Sequence, residues 1–165
     1  MPTAGPTKQL EKVKSSLVQV VPEAELRDRE YRECGYHLEV RLIMRGMRRV
    51  AREMKEERFY LETITAVDFL EYFHLVYVFS TYYDEMFRVM TRIKLPQEAT
   101  AFTLSAIYPE AIWLEREVFD LFGIRFLGHP NLKRILQPDD ATIFPLRKTF
   151  GKTRVTSEEI DDILC

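Results

Sequence analysis

Phe87-Arg-Val-Met-Thr-Arg-Ile-Lys-Leu95 is the stretch that decides the fold class. Phe87, Val89, Thr91, Ile93 and Leu95 recur at a period of two with Arg88, Arg92 and Lys94 between them, which predicts a strand with one face in a core and the other wet. Upstream, Phe73 to Ser80 is apolar on both sides, as a central strand would be, and Phe59 to Phe69 carries a third strand signal. The polar turn Thr81-Tyr-Tyr-Asp-Glu85 links the last pair. Consecutive, tightly linked strands pair antiparallel most readily. The expected class is therefore α+β: a mixed, mostly antiparallel sheet packed with helices.

The segments before the sheet supply those helices. Residues 1 to about 7 read as loose, Lys8 to Leu17 as a short helix with Leu10, Val13 and Leu17 inward, and Leu17 to Val21 as the start of a strand ended by Pro22. The charged run Glu23 to Gly35 reads as a loop or a frayed helical turn. Tyr36 to Ile43 alternates Leu38, Val40 and Leu42 against His37, Glu39 and Arg41, a half-buried strand. Arg45 to Glu57 places Met47, Val50, Ala51 and Met54 at helical spacing, opposite Arg45, Arg48, Arg49, Arg52 and Lys55. This basic face is expected to be solvated or to dock on an acidic partner.

After the sheet, Pro109 suits a first helical position and Gly123 a left-handed stop, so Pro109 to Phe122 predicts a helix. Ala111, Ile112, Leu114, Val118, Phe119, Leu121 and Phe122 share one apolar arc, and Glu115 falls in its middle. A carboxylate there needs an ionised partner or a raised pKa. Arg125, His129, Lys133 and Arg134 are the nearest cations. A structural ion pair, a catalytic carboxylate and an interface role are all open for Glu115. Arg116, Glu117 and Asp120 fall on the opposite side with Trp113, the only tryptophan, where a solvated face has no use for an indole. Asp120 opposes the helix dipole and requires a cation, with Arg116 one turn back.

From Gly123 onward, Pro130, Pro138 and Pro145 leave no room for a long element, while Phe126, Leu132, Ile135, Leu136, Ile143, Phe144 and Leu146 remain to be buried. The expected organisation is an α+β domain over residues 1–122 and an extended arm over 123–165, laid on this domain or on a partner subunit. Fixing such an arm costs about 1–2 kcal/mol of backbone entropy per residue, which a large partner surface would offset.

Motifs of independent chemistry are absent: no glycine-rich phosphate loop, no nucleophile elbow, and three isolated histidines, His37, His74 and His129, without metal-ligand spacing. His129 is expected to be hydrogen-bonded in a turn. Two cysteines, Cys34 and Cys165, cannot supply the roughly four ligands of an iron–sulfur cluster. A formal net charge of −2 gives no general attraction to nucleic acid or anionic lipid. No apolar run approaches the ~18 residues of a membrane helix, and Met-Pro-Thr-Ala-Gly-Pro-Thr lacks a signal-peptide core, so a cytosolic chain that meets membrane only through partners is expected. Abundant Glu, Arg, Lys, Tyr and Ile with few amides fit a thermophile's protein.

Glu115-Arg-Glu117, Asp120, Phe122-Gly-Ile124, Phe126, Gly128-His-Pro130 and Lys133-Arg-Ile-Leu136 together resemble the signature of the thirty-kilodalton, or C, subunit of respiratory complex I and its hydrogenase relatives. Thr65-Ala-Val-Asp-Phe69, Leu95-Pro96, Ile107-Tyr-Pro109, Pro138-Asp-Asp140 and Pro145-Leu-Arg-Lys148 follow in the same order, so the likeness covers Phe59 to Phe150. Thr142-Ile-Phe144 departs from the family's glycine and histidine or tyrosine before Pro-Leu-Arg-Lys, and the family's longer tail is missing. The short form looks more like that of archaeal membrane-bound hydrogenases and related sulfur-reducing complexes.

The resemblance implies a non-catalytic, cofactor-free scaffold subunit, with iron–sulfur clusters, and a NiFe centre in a hydrogenase, carried by other chains. It implies a place at the cytoplasmic face of the membrane, between a large NiFe-hydrogenase-like (D-type) subunit and a small iron–sulfur (B-type) subunit, with a ferredoxin-like subunit as a further neighbour. The expected interface residues are Trp113, Glu115, Arg116, Glu117, Asp120, Phe122, Gly123, Phe126, Gly128, His129, Pro130, Lys133, Arg134, Leu146, Arg147 and Lys148. The C subunit of NADH-quinone oxidoreductase is the alternative parent assignment.

Overall fold

The computed structural model describes residues 7–82, 86–98 and 100–151. The expected loose start, most of the turn after Thr81 and the tail beyond Gly151 lie outside the described residues. Helix α1 (Thr7–Val20) leads to β1 (Glu25–Asp28), the short α2 (Tyr31–Cys34), β2 (Leu38–Leu42) and a 3-10 turn (Met44–Gly46) that runs into α3 (Met47–Glu56). Then come β3 (Tyr60–Asp68), β4 (Tyr72–Thr81), β5 (Phe87–Pro96) and β6 (Ala101–Phe102), followed by α4 (Ala111–Phe122), β7 (Phe126–Leu127) and α5 (Lys148–Gly151).

The main sheet has five strands in the order β1-β2-β5-β4-β3. Only β2 and β5 run parallel, and the three other pairings are antiparallel. This is the mixed, mostly antiparallel α+β sheet that the alternation predicts. β4, apolar on both sides, sits between β3 and β5, where each face gains the most from burial. Phe73, Leu75, Tyr77 and Phe79 from β4 and Phe87, Val89 and Ile93 from β5 meet Val13 and Leu17 of α1, Met47, Val50, Ala51 and Met54 of α3, and Val118 and Phe122 of α4 in one core.

Three expectations for the N-terminal half are corrected. Leu17 to Val21 begins no strand; the helix continues to Val20 because Leu17 and Val21 are needed in the core one turn apart. Within Glu23 to Gly35 the expected helical turn is present as α2, but Leu26 and its neighbours pair with β2 as an edge strand. That strand carries little propensity of its own and exists through pairing. The wet face of the sheet is only partly wet: Glu39 is fully buried there, between Arg29 (2.7 Å), Arg41 (2.7 Å) and Arg92 (3.5 Å). Burial pushes the Glu39 carboxyl up, and these guanidinium groups outweigh it, so its pKa falls.

Gly123 ends α4 in the left-handed region (φ 76°), its N–H donating to the Phe119 carbonyl at 2.8 Å. A Cβ there would lie 2.8 Å from both Arg147 Nη2 and the Phe144 ring. Gly123→Ala combines this crowding with an unfavourable φ and is expected to destabilise the protein by about 1–3 kcal/mol, read by chemical denaturation. An unchanged midpoint would show that the arm yields at no cost.

Candidate subunit interface around helix α4

Two buried carboxylates organise the segments on either side of α4. Glu115 is fully buried on its core-facing arc, but its partner is no cation. Among the described residues none of Arg125, His129, Lys133 and Arg134 pairs with it, which corrects the expected ion pair. Instead the Thr103 hydroxyl donates to Glu115 Oε2 at 2.6 Å and the Leu104 N–H to Oε1 at 2.7 Å. The carboxylate thereby clamps the chain between β6 and α4. Burial pushes its pKa up to about 7, against the opposing pull of the Leu104 N–H, the Thr103 hydroxyl and the Arg48 charge. Glu115 thus avoids a full buried charge by holding a proton over part of the physiological range. Among the described residues its hydrogen-bond partners are the Thr103 hydroxyl and the Leu104 N–H.

Asp120 is the other fully buried carboxylate. It lies opposite the apolar arc, as the spacing predicts, and it is buried because the arm covers that side. Its cation is Arg134 at 2.8 Å and not Arg116. The backbone N–H groups of Ile135 (3.0 Å), Leu136 (2.7 Å) and Gln137 (3.1 Å) converge on Oδ2. Burial alone would raise this carboxyl, but three N–H donors and Arg134 hold it well below the usual carboxylate range.

The same arm satisfies the C-terminal carbonyls of α4, which have no partner within the helix. The Asp120 carbonyl accepts from Arg134 (3.1 Å) and Gln137 Nε2 (2.7 Å), Leu121 from the Leu146 N–H (3.2 Å), and Phe122 from Arg147 Nε (2.6 Å). Two guanidinium groups at the negative end of the helix add a favourable dipole interaction. Further along, the Lys148 N–H reaches Asp68 Oδ2 at 2.9 Å, and Phe126 and Leu127 add a two-stranded parallel pairing with β6. As far as Lys148 the arm is thus fixed to this domain by named hydrogen bonds.

The remaining signature residues fall into place along it. Arg116 donates to the carbonyls of Lys133 (2.9 Å) and Arg134 (3.0 Å) and stacks on Trp113, 4.8 Å from the ring centre. His129 sits in the turn after Gly128 (φ 84°), one ring nitrogen 3.0 Å from the Ile112 carbonyl and the other accepting the Asn131 N–H at 3.0 Å. The ring therefore braces the turn against α4, and both nitrogens are occupied. Phe122 packs edge-on against Phe73, and Phe126 is buried. Glu117, Pro130 and Lys133 are exposed. Thr103 and Gln137 hold the arrangement without standing out in the sequence, because a hydroxyl and an amide look ordinary until their partners are known, whereas Asp68 belongs to the Thr65-Ala-Val-Asp-Phe69 element of the resemblance.

Several large apolar side chains of α4 and the arm are exposed. Trp113 is 62% exposed, Leu127 60% and Leu136 66%, and Ile143, Leu146 and Phe150 are exposed with them. Among the described residues no cluster of His, Cys, Asp and Glu could hold a metal ion, and no helix is long and apolar enough to cross a membrane.

Residues 41–155 match the family described as the respiratory-chain NADH dehydrogenase 30 kDa subunit. The chain belongs to that family. It is 40% identical over 105 residues to the C subunit of NADH-quinone oxidoreductase from Ruegeria pomeroyi, covering 62% of this chain and 52% of that protein. The same subunit of Moorella thermoacetica is 41% identical over 107 residues, covering 59% of this chain and 69% of its own length. The chain spans about half the length of the curated relatives it matches from Ruegeria pomeroyi and Cereibacter sphaeroides. A chain of the membrane-bound sulfane sulfur reductase, an archaeal respiratory membrane complex, superposes with a TM-score of 0.75 at 27% identity, covering 94% of this chain and 91% of that one. The arm and α4 residues from Trp113 to Lys148 all lie within the region that defines the thirty-kilodalton subunit family.

Proposed function

We propose that this chain is a non-catalytic, cofactor-free scaffold subunit in the peripheral arm of a complex I-related, membrane-bound redox complex. It braces a large catalytic subunit and a small iron–sulfur subunit in register, and reaches the cytoplasmic face of the membrane through them. The observation that carries the reading is the set of exposed apolar side chains, Trp113 on α4 and Leu127, Leu136, Ile143, Leu146 and Phe150 on an arm that is hydrogen-bonded to this domain at Asp120 and Phe122. Such a surface has apolar area to give a partner and little chemistry to perform. The boundary proposed at residue 122 does not divide core from surface, since exposed Trp113 precedes it and buried Ile124 and Phe126 beyond it join the core.

For the parent complex, we favour the sulfur reductase or membrane-bound hydrogenase type, and the superposition on the archaeal chain over 94% of this chain at a TM-score of 0.75 supports that reading. The identity to NADH-quinone oxidoreductase subunits supports the second reading, a C subunit of complex I. Purification of the tagged chain from gently extracted membranes separates the two. Sulfur-reducing or hydrogen activity supports the first, and NADH- or quinone-linked turnover without either supports the second. A chain that elutes alone refutes both.

Exposed Trp113 also gives a direct substitution test. Trp113→Ala is expected to leave unfolding within about 0.5 kcal/mol, since the indole is exposed, yet to weaken subunit assembly by about 2 kcal/mol or more. Equal retention of the co-purifying subunits would remove Trp113 from the interface.

A further inference from the structure

The basic face of α3 is not simply solvated. Arg45 on the 3-10 turn is followed at one-turn steps by Arg48, Arg52 and Lys55, so the four fall on one stripe. Arg49, beside it, is already bound to the Val20 carbonyl and Glu23. Within the stripe, no ion pair forms among the described residues, not even between Arg52 and Glu56 one turn on.

Two of the four cations are held in place without being neutralised. Arg48 donates to the Thr103 carbonyl at 3.3 Å and lies 4.8 Å over the Phe102 ring. Lys55 lies 4.7 Å over the Tyr108 ring. Both therefore stand ordered beside the segment that Glu115 clamps. The stripe is continuous with the proposed interface: a Cβ on Gly128 would be 3.8 Å from Arg48 Nη2, and exposed Leu127 adjoins it. Exposed Ile43 borders the other end.

We infer that this stripe docks an acidic segment of a neighbouring protein subunit, with carboxylates at matching one-turn spacing along it. Charge complementarity names the chemistry, and the fixed spacing of ordered cations favours a structured acidic segment over a fluid anionic surface. The inference rests on the subunit reading above and adds a second contact to it.

The test uses the intact complex, purified through a tag on this chain and treated with a carbodiimide that joins carboxylates to amines without a spacer. Lys55 is expected to be joined to an Asp or Glu of another subunit, and Lys55→Gln to abolish that link. Arg45→Glu with Arg52→Glu should lower retention of the linked subunit at least tenfold at moderate salt, and Arg45→Gln with Arg52→Gln should lower it less. Lys55 joined to Glu158–Asp162 of its own chain would overturn the inference, as would equal retention across the salt series in the double variants. Binding of phosphatidylglycerol vesicles that the charge reversal abolishes, with all subunits retained, would reassign the stripe to a membrane surface and overturn it too. If the wild-type chain retains no subunit at all, the subunit reading fails and this contact falls with it.

Discussion

Asp120→Ala is expected to destabilise the protein by about 3–5 kcal/mol, because Arg134 loses its counter-charge at a buried site and three backbone N–H groups lose their acceptor. The loss should begin in the arm. The Ile135, Leu136 and Gln137 N–H groups all converge on Asp120 Oδ2, and Gln137 and Arg134 both bridge to the helix end beneath. Hydrogen exchange should therefore speed first at residues 135–137, with the central strands following only on global unfolding. A variant whose amides at 135–137 stay protected would show that the arm is held by something else. The depressed pKa fixes the pH dependence: Asp120 contributes stability that is present above its unfolded value of 3.8 and is lost as pH falls further.

Glu115→Gln is expected to act in the opposite pH direction. The folded pKa is raised from 4.5 to about 7, so the native state binds the extra proton between those values. Stability associated with Glu115 is therefore fully present below about pH 4.5 and is lost as pH rises through about 7. That interval corresponds to roughly 3 kcal/mol for so buried a group. The amide keeps an acceptor for the Leu104 N–H and can donate to the Thr103 hydroxyl, but it never ionises near Tyr77, whose buried hydroxyl has no partner among the described residues. The variant should lose this part of the pH profile and be more stable than the parent chain at pH 8. A wild-type chain whose denaturation midpoint is flat from pH 5 to 8 would contradict the assignment.

How far these features are legible in the chain depends on where their partners lie. β3, β4 and β5 are readable because alternation and a two-sided apolar run are consequences of burial that each strand carries in itself. β1 is not readable, since Glu25-Leu-Arg-Asp28 becomes a strand only by pairing with β2. Glu115 announces itself by standing on an apolar arc, but its real partners are a hydroxyl and a backbone N–H more than ten residues upstream, and neither has a charge to betray it. Asp120 calls for a cation, and nearness along the helix favours Arg116. Three N–H groups in one turn of the arm settle the choice for Arg134, because the arm must arrive there in any case to satisfy the helix end.

The sheet packs with α1, α3 and α4 in one core, α4 anchors the arm by its carbonyls and Asp120, and the arm buries Ile124 and Phe126 while exposing Leu127, Leu136, Ile143, Leu146 and Phe150. The central claim is that this surface braces two other subunits. The most direct measurement is co-purification of the large catalytic subunit with the small iron–sulfur subunit from cells that lack this chain. The account predicts that the two separate, and that restoring the chain, but not its Trp113→Ala form, rejoins them in equal proportion. A stable and fully active pair in its absence would contradict the claim.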